Sequence, residues 1–133
     1  MEKPQFITSI GEMPDAEFEA GLEPSSRHGA DLRFHGVVRD LEEGRPILGI
    51  DYSAYRPMAD RELEAIVHAM LAEQPEHRVA IHHRTGFVAA GEASLLIRVQ
   101  TAHSAAAFEI CREYLRRIKA TVPVWKRPVF VED

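Results

Sequence analysis

The chain holds three lysines against thirteen arginines, and two of the three, Lys119 and Lys126, stand in one short segment, Lys119-Ala120-Thr121-Val122-Pro123-Val124-Trp125-Lys126. The residue type matters chemically. An arginine guanidinium stays protonated, whereas a lysine ammonium that is desolvated or crowded by other cations can give up its proton and act as a nucleophile or base. The segment also predicts a bend. Val122 precedes a proline and is pushed out of the α region, so an upstream helix ends there and an extended stretch begins. Such a turn can bring both amines to one cleft. The same placement suits two structural uses: cations complement the macrodipole at a helix C-terminus, and lysine on an exposed edge strand discourages aggregation. The spacing alone leaves both readings open.

Charge is concentrated around these lysines. From Arg112 to Arg127 six basic residues accompany one acid, Glu113, so the stretch carries +5 in a chain of net charge −5. The overall balance argues against nucleic-acid binding by counterion release. The local patch fits a small phosphorylated ligand or a carboxylate terminus, although a solvated helix face has the same composition. Arg39 follows a predicted strand and precedes an acidic loop, so it either clamps an anion or pairs with Asp40, Glu42 or Glu43. His103 stands just before the last predicted helix, where backbone N–H groups favour an anion and where a plain cap is equally at home.

Other chemistries find less support. The seven histidines include His82-His83, but neighbours on a strand point to opposite faces and cannot readily share an ion. No His-Glu-x-x-His or Cys-x-x-Cys spacing occurs, so neither a metal nor a bound cofactor is expected. No Walker or G-x-G-x-x-G pattern is present. Cys111, the sole cysteine, falls on an apolar helix face and reads as a small buried hydrophobe.

The elements that must position these residues follow from periodicity. A chain of 133 residues can bury a core without staples, and we read it as one unit over 1–133. No apolar run is long enough to span a membrane, and the N-terminus lacks a signal-peptide pattern, so a cytoplasmic location is expected. Strands are predicted at 5–10, from Leu32 to Val38, at 47–55 with Leu48, Ile50, Tyr52 and Ala54 on one side, at 78–83, at 93–101 and at 124–131. Pro128 marks the last as an edge or a bulge. A brief helix is predicted over 15–22 and a stronger one over 59–73, where Leu63, Ile66, Val67, Met70 and Leu71 recur at helical spacing before Pro75. The last helix, 104–120, turns Ala107, Cys111, Tyr114, Leu115 and Ile118 inward with Ser104 as its N-cap. Residues 40–45 read as a mobile loop, and Gly86 and Gly91 as turns. Strands interrupted by helices without regular alternation define an α+β class.

Five pieces then occur in order: Phe34-His35-Gly36-Val37-Val38-Arg39, Tyr52-Ser53-Ala54-Tyr55-Arg56-Pro57-Met58-Ala59, Gly91-Glu92-Ala93-Ser94, Ala102-His103 with Ala107-Phe108 and Cys111, and Lys119 through Trp125-Lys126. This ordered set, spanning roughly residues 5–127, resembles the catalytic (large) subunit of molybdopterin synthase, and the Lys-x-x-Val-Pro-x-Trp-Lys block is its most distinctive part. The resemblance implies an α/β hammerhead-type fold with an added antiparallel β subdomain. It implies a homodimer flanked by two ubiquitin-like small subunits, each inserting a C-terminal Gly-Gly thiocarboxylate tail into a large-subunit pocket. The implied reaction is two sulfur transfers that convert cyclic pyranopterin monophosphate to molybdopterin, with no bound metal. On the same basis Lys119 lies beside the tail and the reacting carbon as nucleophile or proton shuttle, and Lys126 assists with charge or proton transfer. Arg39 and His103 contact the substrate phosphate, and Phe34 walls the pocket.

Three positions depart from the family pattern. Ser104 stands where an arginine usually follows the histidine, and Arg112 or a second subunit's arginine would have to replace that phosphate contact. After Lys126 the chain continues Arg127-Pro128-Val129-Phe130 in place of an acidic, glycine-containing tail, so the terminal lid is expected to be absent. Tyr52-Ser53-Ala54-Tyr55 replaces a more usual Tyr-Glu-Ala-Tyr. An alternative reading is therefore a divergent, non-catalytic or repurposed paralogue that binds a ubiquitin-like partner or another small anion.

Overall fold

The computed structural model describes residues 5–12, 18 and 22–132. Among these residues eight strands and two full helices follow in the order β1 (Phe6–Gly11), β2 (Ala30–Val37), β3 (Leu41–Glu42), β4 (Arg45–Ala54), α1 (Met58–Glu73), β5 (Arg78–Arg84), β6 (Gly86–Ala89), β7 (Ala93–Thr101), α2 (Ser104–Thr121) and β8 (Val124–Phe130). This is an α+β fold built on two sheets, as the interrupted strand pattern predicts. The helix expected over 15–22 lies outside the described residues, apart from Phe18 and Leu22.

The first sheet has the order β1-β5-β7-β2, with β1 parallel to β5 and the other pairs antiparallel. Period-two alternation gives it two unlike faces. Val79 and Ile81 of β5, with Leu95, Ile97 and Val99 of β7, pack under Leu63, Val67 and Met70 of α1 and Ile110, Tyr114 and Ile118 of α2. On the reverse face Ala80 and Leu96 meet Phe18 and Leu22. Arg98, only 2% exposed, lies among these residues and makes a two-pronged bond to Asp31 on β2, at 2.8 and 2.6 Å. The buried Tyr114 hydroxyl meets His77 Nε2 at 2.6 Å, which satisfies two polar groups at the end of the helix layer.

In the second sheet β4 is central and pairs with β3, β6 and β8. Ile47, Ile50, Tyr52, Val88 and Val38 form its separate small core. Two expectations are corrected here. Residues 40–45 are a tight hairpin joining β3 to β4, because Glu43 and Gly44 both take positive φ (51° and 79°), the mirror-image turn that fits strand twist. Leu48 faces outward, 55% exposed, because a register shift against β8 between Ile47 and Gly49 makes Ile47 the inward residue. The short strand β6, starting at the positive-φ Gly86, is an element that the turn signals concealed. The helix cap is also corrected: α2 begins with Ser104 as its first helical residue, and the extended His103 is the N-cap, with no side-chain capping bond.

Candidate active site

α2 ends as its sequence dictates. Val122 is extended (φ −76°, ψ 121°), its N–H closes the last turn on the Ile118 carbonyl, and the Pro123 carbonyl accepts the Tyr55 N–H at 3.1 Å. The chain therefore leaves the helix directly into β8, antiparallel to β4. This turn brings Lys119, on the last turn of α2, and Lys126, on β8, to one cavity of about 650 Å³, a size suited to a small molecule.

The walls come from both sheets and α2. The floor is the helix-side face of the first sheet at one strand end, with Gly36, Leu95 and His83. Leu115, Ile118 and Lys119 of α2 cover it. Tyr52 of β4 stands opposite Lys126 of β8, so the two share a face and close the side. Phe34 and Arg39 complete the wall. Arg39 follows Val38, whose N–H donates to Glu92 at 2.9 Å and whose carbonyl accepts the Gly91 N–H at 2.8 Å, so the base of this long side chain is pinned.

Electrostatics distinguish these cations from the rest of the basic stretch. Arg116 and Arg117 both bind Glu113, holding its carboxyl at about 2, and Arg117 also reaches Glu73 at 2.9 Å. Arg127 pairs with Asp51 at 2.8 Å. Among the described residues, no carboxylate lies within ion-pair distance of Lys119, Lys126 or Arg39. The patch seen in sequence thus resolves into Arg116, Arg117 and Arg127, which are ion-paired, the exposed Arg112, and an inner part, Lys119 and Lys126, that faces the cavity. Neither Asp40, Glu42 nor Glu43 takes up Arg39.

Two of the candidate residues stand elsewhere. His103, exposed at the start of α2, is sixteen residues before Lys119, about 24 Å along the helix axis. Arg112 is exposed at mid-helix and does not line the cavity. Cys111 is buried, and burial pushes its thiol up to about 11, so it remains a protonated core group. Among the described residues no cluster of three or more His, Cys, Asp or Glu side chains is arranged to hold a metal ion. No helix among them is long and apolar enough to cross a membrane.

His83, by contrast, stands in the sequence only as half of a poor metal pair. The two histidines do face opposite ways: His82 packs on Phe18 at 5.1 Å between ring centres, and His83 meets Tyr52 edge-on at 5.3 Å. The alternation that puts Val79 and Ile81 under the helices also puts His83 there, and this was the available signal. Tyr52 and Ser94 are likewise cavity residues that periodicity marked only as strand positions.

An α+β scaffold with an arginine and two lysines around a walled cavity, none of them ion-paired among the described residues, defines a class of protein, one that can hold a small anion. Comparison with known proteins makes the class particular. The family model described as MoaE protein matches residues 12–121, and the chain belongs to that family. It is 42% identical over 102 residues to a molybdopterin synthase catalytic subunit of Oryza sativa subsp. indica, covering 77% of this chain and 53% of the rice protein. A protein of the same description from Rattus norvegicus is 34% identical over 140 residues, covering 100% of this chain and 67% of its own length. The chain thus spans about half the length of the rice relative and two thirds of the rat one. The crystal structure of molybdopterin synthase from Staphylococcus aureus superposes with a TM-score of 0.82 at 27% identity, over 99% of this chain and 96% of that one.

Proposed function

We propose that this chain acts as the catalytic subunit of a molybdopterin synthase, a sulfur-transferring enzyme. It takes sulfur from the C-terminal Gly-Gly thiocarboxylate of a ubiquitin-like small subunit and delivers it, in two transfers, to cyclic pyranopterin monophosphate. The observation that carries this reading is the convergence of Lys119, Lys126 and Arg39 on one cavity, with no carboxylate neutralising them among the described residues. Relatives bearing that name match most of the chain and lend support.

In this reading the thiocarboxylate tail and the phosphate enter a cavity whose fixed charges are positive, so two anionic reactants are held together despite their repulsion. Lys119 supplies the reactive amine beside the tail and the reacting carbon, as nucleophile or proton shuttle. Lys126 and Arg39 balance substrate charge, and Phe34 excludes water from one side. His103 and Arg112, outside the cavity of their own chain, contact the phosphate only when a second copy lays its α2 against the cavity mouth, which ties their role to a homodimer. The test combines the purified chain, a thiocarboxylated small subunit and cyclic pyranopterin monophosphate, and follows dithiolene formation. Product from the unmutated chain and none from Lys119→Ala is expected. Binding of the small subunit with no turnover would instead support the repurposed reading that Ser104 favours.

A further inference from the structure

Resting on the sulfur-transfer reading, we propose that His83 is a catalytic base of the same cavity, whose Nε2 takes the proton of the water that splits the tail's acyl carbon from the transferred sulfur. The need for such a base follows from stoichiometry. The sulfur begins bonded to the tail's acyl carbon, so once it is also bonded to substrate the tail is released only by breaking that carbon–sulfur bond. Water oxygen bonds to the acyl carbon, the carbon–sulfur bond breaks, and its electron pair stays on sulfur as a thiolate. One water proton passes to the base, and the other leaves with the carboxyl group that the tail regains. A guanidinium cannot accept that proton, and the Lys119 amine is already engaged in the transfer step that precedes release.

His83 has the geometry for it. Its Nδ1 lies 2.9 Å from the Arg84 carbonyl oxygen, so Nδ1 carries the hydrogen and donates, which leaves the Nε2 lone pair as the acceptor. The Tyr52 ring, edge-on at 5.3 Å, holds the imidazole in the cavity wall. The groups around the ring are few. On its own strand stands His82, from β4 comes Tyr52, and from β8 Lys126. The flanking strands present Leu95 and Ile10 at its pairing positions, neither of them titratable. Lys119 of α2 and Arg39 line the same cavity. Burial first, then the charges of His82 and Lys126, keep the ring below its ordinary pKa of 6.5 against the opposing pull of the Arg84 carbonyl. The imidazole is therefore neutral and able to accept at neutral pH, and it loses that ability as pH falls.

The decisive variant is His83→Gln, whose amide can still donate a hydrogen bond but accepts no proton. In a single turnover with a thiocarboxylated ubiquitin-like protein and cyclic pyranopterin monophosphate, intact-mass measurement resolves the tail–sulfur–substrate adduct from the released tail. The variant is expected to form the adduct at the normal rate and release it roughly 10²-fold more slowly, with added imidazole restoring release. Release within about threefold of normal overturns the proposal. If the variant does not fold, as judged by circular dichroism, the unmutated chain decides: its release rate must fall with acid through the midpoint at which the His83 ring titrates by NMR, and a rate that stays flat through that midpoint overturns the proposal. A chain that transfers no sulfur at all removes the underlying reading as well, whereas normal transfer and normal release in His83→Gln remove only the base.

Discussion

Lysine and arginine at position 119 carry the same charge but differ in whether that charge can be withdrawn, and the difference separates two roles for the last turn of α2. If Lys119 only attracts an anion, Lys119→Arg retains most of its effect. If its amine reacts or shuttles a proton, Lys119→Arg fails as Lys119→Ala does. We expect both variants to lose turnover by at least about 10²-fold in the dithiolene assay while melting at the normal temperature, since the side chain is exposed and outside the core. Near-normal turnover by Lys119→Arg would reduce the residue to an electrostatic contact. A second prediction needs no activity. The Lys126 ammonium contributes, after burial and His82, to the depressed pKa of His83. Removing it in Lys126→Ala should move the His83 titration midpoint upward in an NMR titration, and Lys126→Arg should leave it in place. An unchanged midpoint in Lys126→Ala would show that the two groups are uncoupled.

The two sheets depend on close backbone approach and on an ion pair whose arginine is buried. Gly49 lies in mid-β4, between β6 and β8, and a Cβ there would come within 2.3 Å of the Val88 carbonyl oxygen and 2.9 Å of the Ala89 Cα. Backbone cannot swing aside as a flexible side chain does. Gly49→Ala should therefore destabilise the protein by about 1–3 kcal/mol, read as a lowered denaturant midpoint, and an unchanged midpoint would show that β6 yields. In the first sheet, the hydrogen bonds from Arg98, and a further one from Gln100, hold the Asp31 carboxyl below its ordinary 3.8. A depressed carboxyl contributes stability above its unfolded pKa and loses it as pH falls through the folded value. Asp31→Asn should thus lower stability near neutral pH by about 1 kcal/mol, because it removes a charge facing the buried Arg98 while the carboxylate itself is largely solvated. The gap from the unmutated protein should close below pH 3.8 as Asp31 itself becomes neutral. A gap that persists unchanged in acid would assign the stabilisation to packing.

At the scale of the whole molecule, the surface leaves large apolar side chains in water, among them Phe108 at 63% and Trp125 at 57% exposed. Phe108 stands one turn before Arg112 on α2, so the helix face that carries Arg112 also carries an apolar anchor. We expect a symmetric homodimer, measured by light scattering as twice the 15.0 kDa chain mass. A mass of one chain that does not change with concentration would remove the route by which His103 and Arg112 reach a substrate. The unneutralised lysines and Arg39 should also steer the acidic tail of a ubiquitin-like partner into the cavity, with an association rate that falls as salt rises. Truncation of the partner's Gly-Gly tail that leaves affinity unchanged would contradict tail insertion.

Much of this was legible along the chain. Helical spacing in Leu63, Val67 and Met70, alternation in β5 and β7, and the bend imposed by Pro123 are local properties, set by side-chain periodicity and the sterics of proline, and they read directly from residue order. The pairing of Lys119 with Lys126 across one cavity follows from that bend. What sequence order could not resolve depends on contacts between distant segments. The inward turn of Ile47 and outward turn of Leu48 come from a register shift against β8, some eighty residues later, and the hairpin at Glu43-Gly44 from closure of β3 on β4. Glu113 pairs Arg116 within the helix, but the rest of the neutralisation came from carboxylates brought from elsewhere, Glu73 of α1 to Arg117 and Asp51 of β4 to Arg127. His83 entered the site only because β4 carries Tyr52 onto the end of β5. Local propensity determines what a segment becomes, while the charge and proton-accepting state of a cavity depend on what the fold packs against it, and only the tertiary structure decides that.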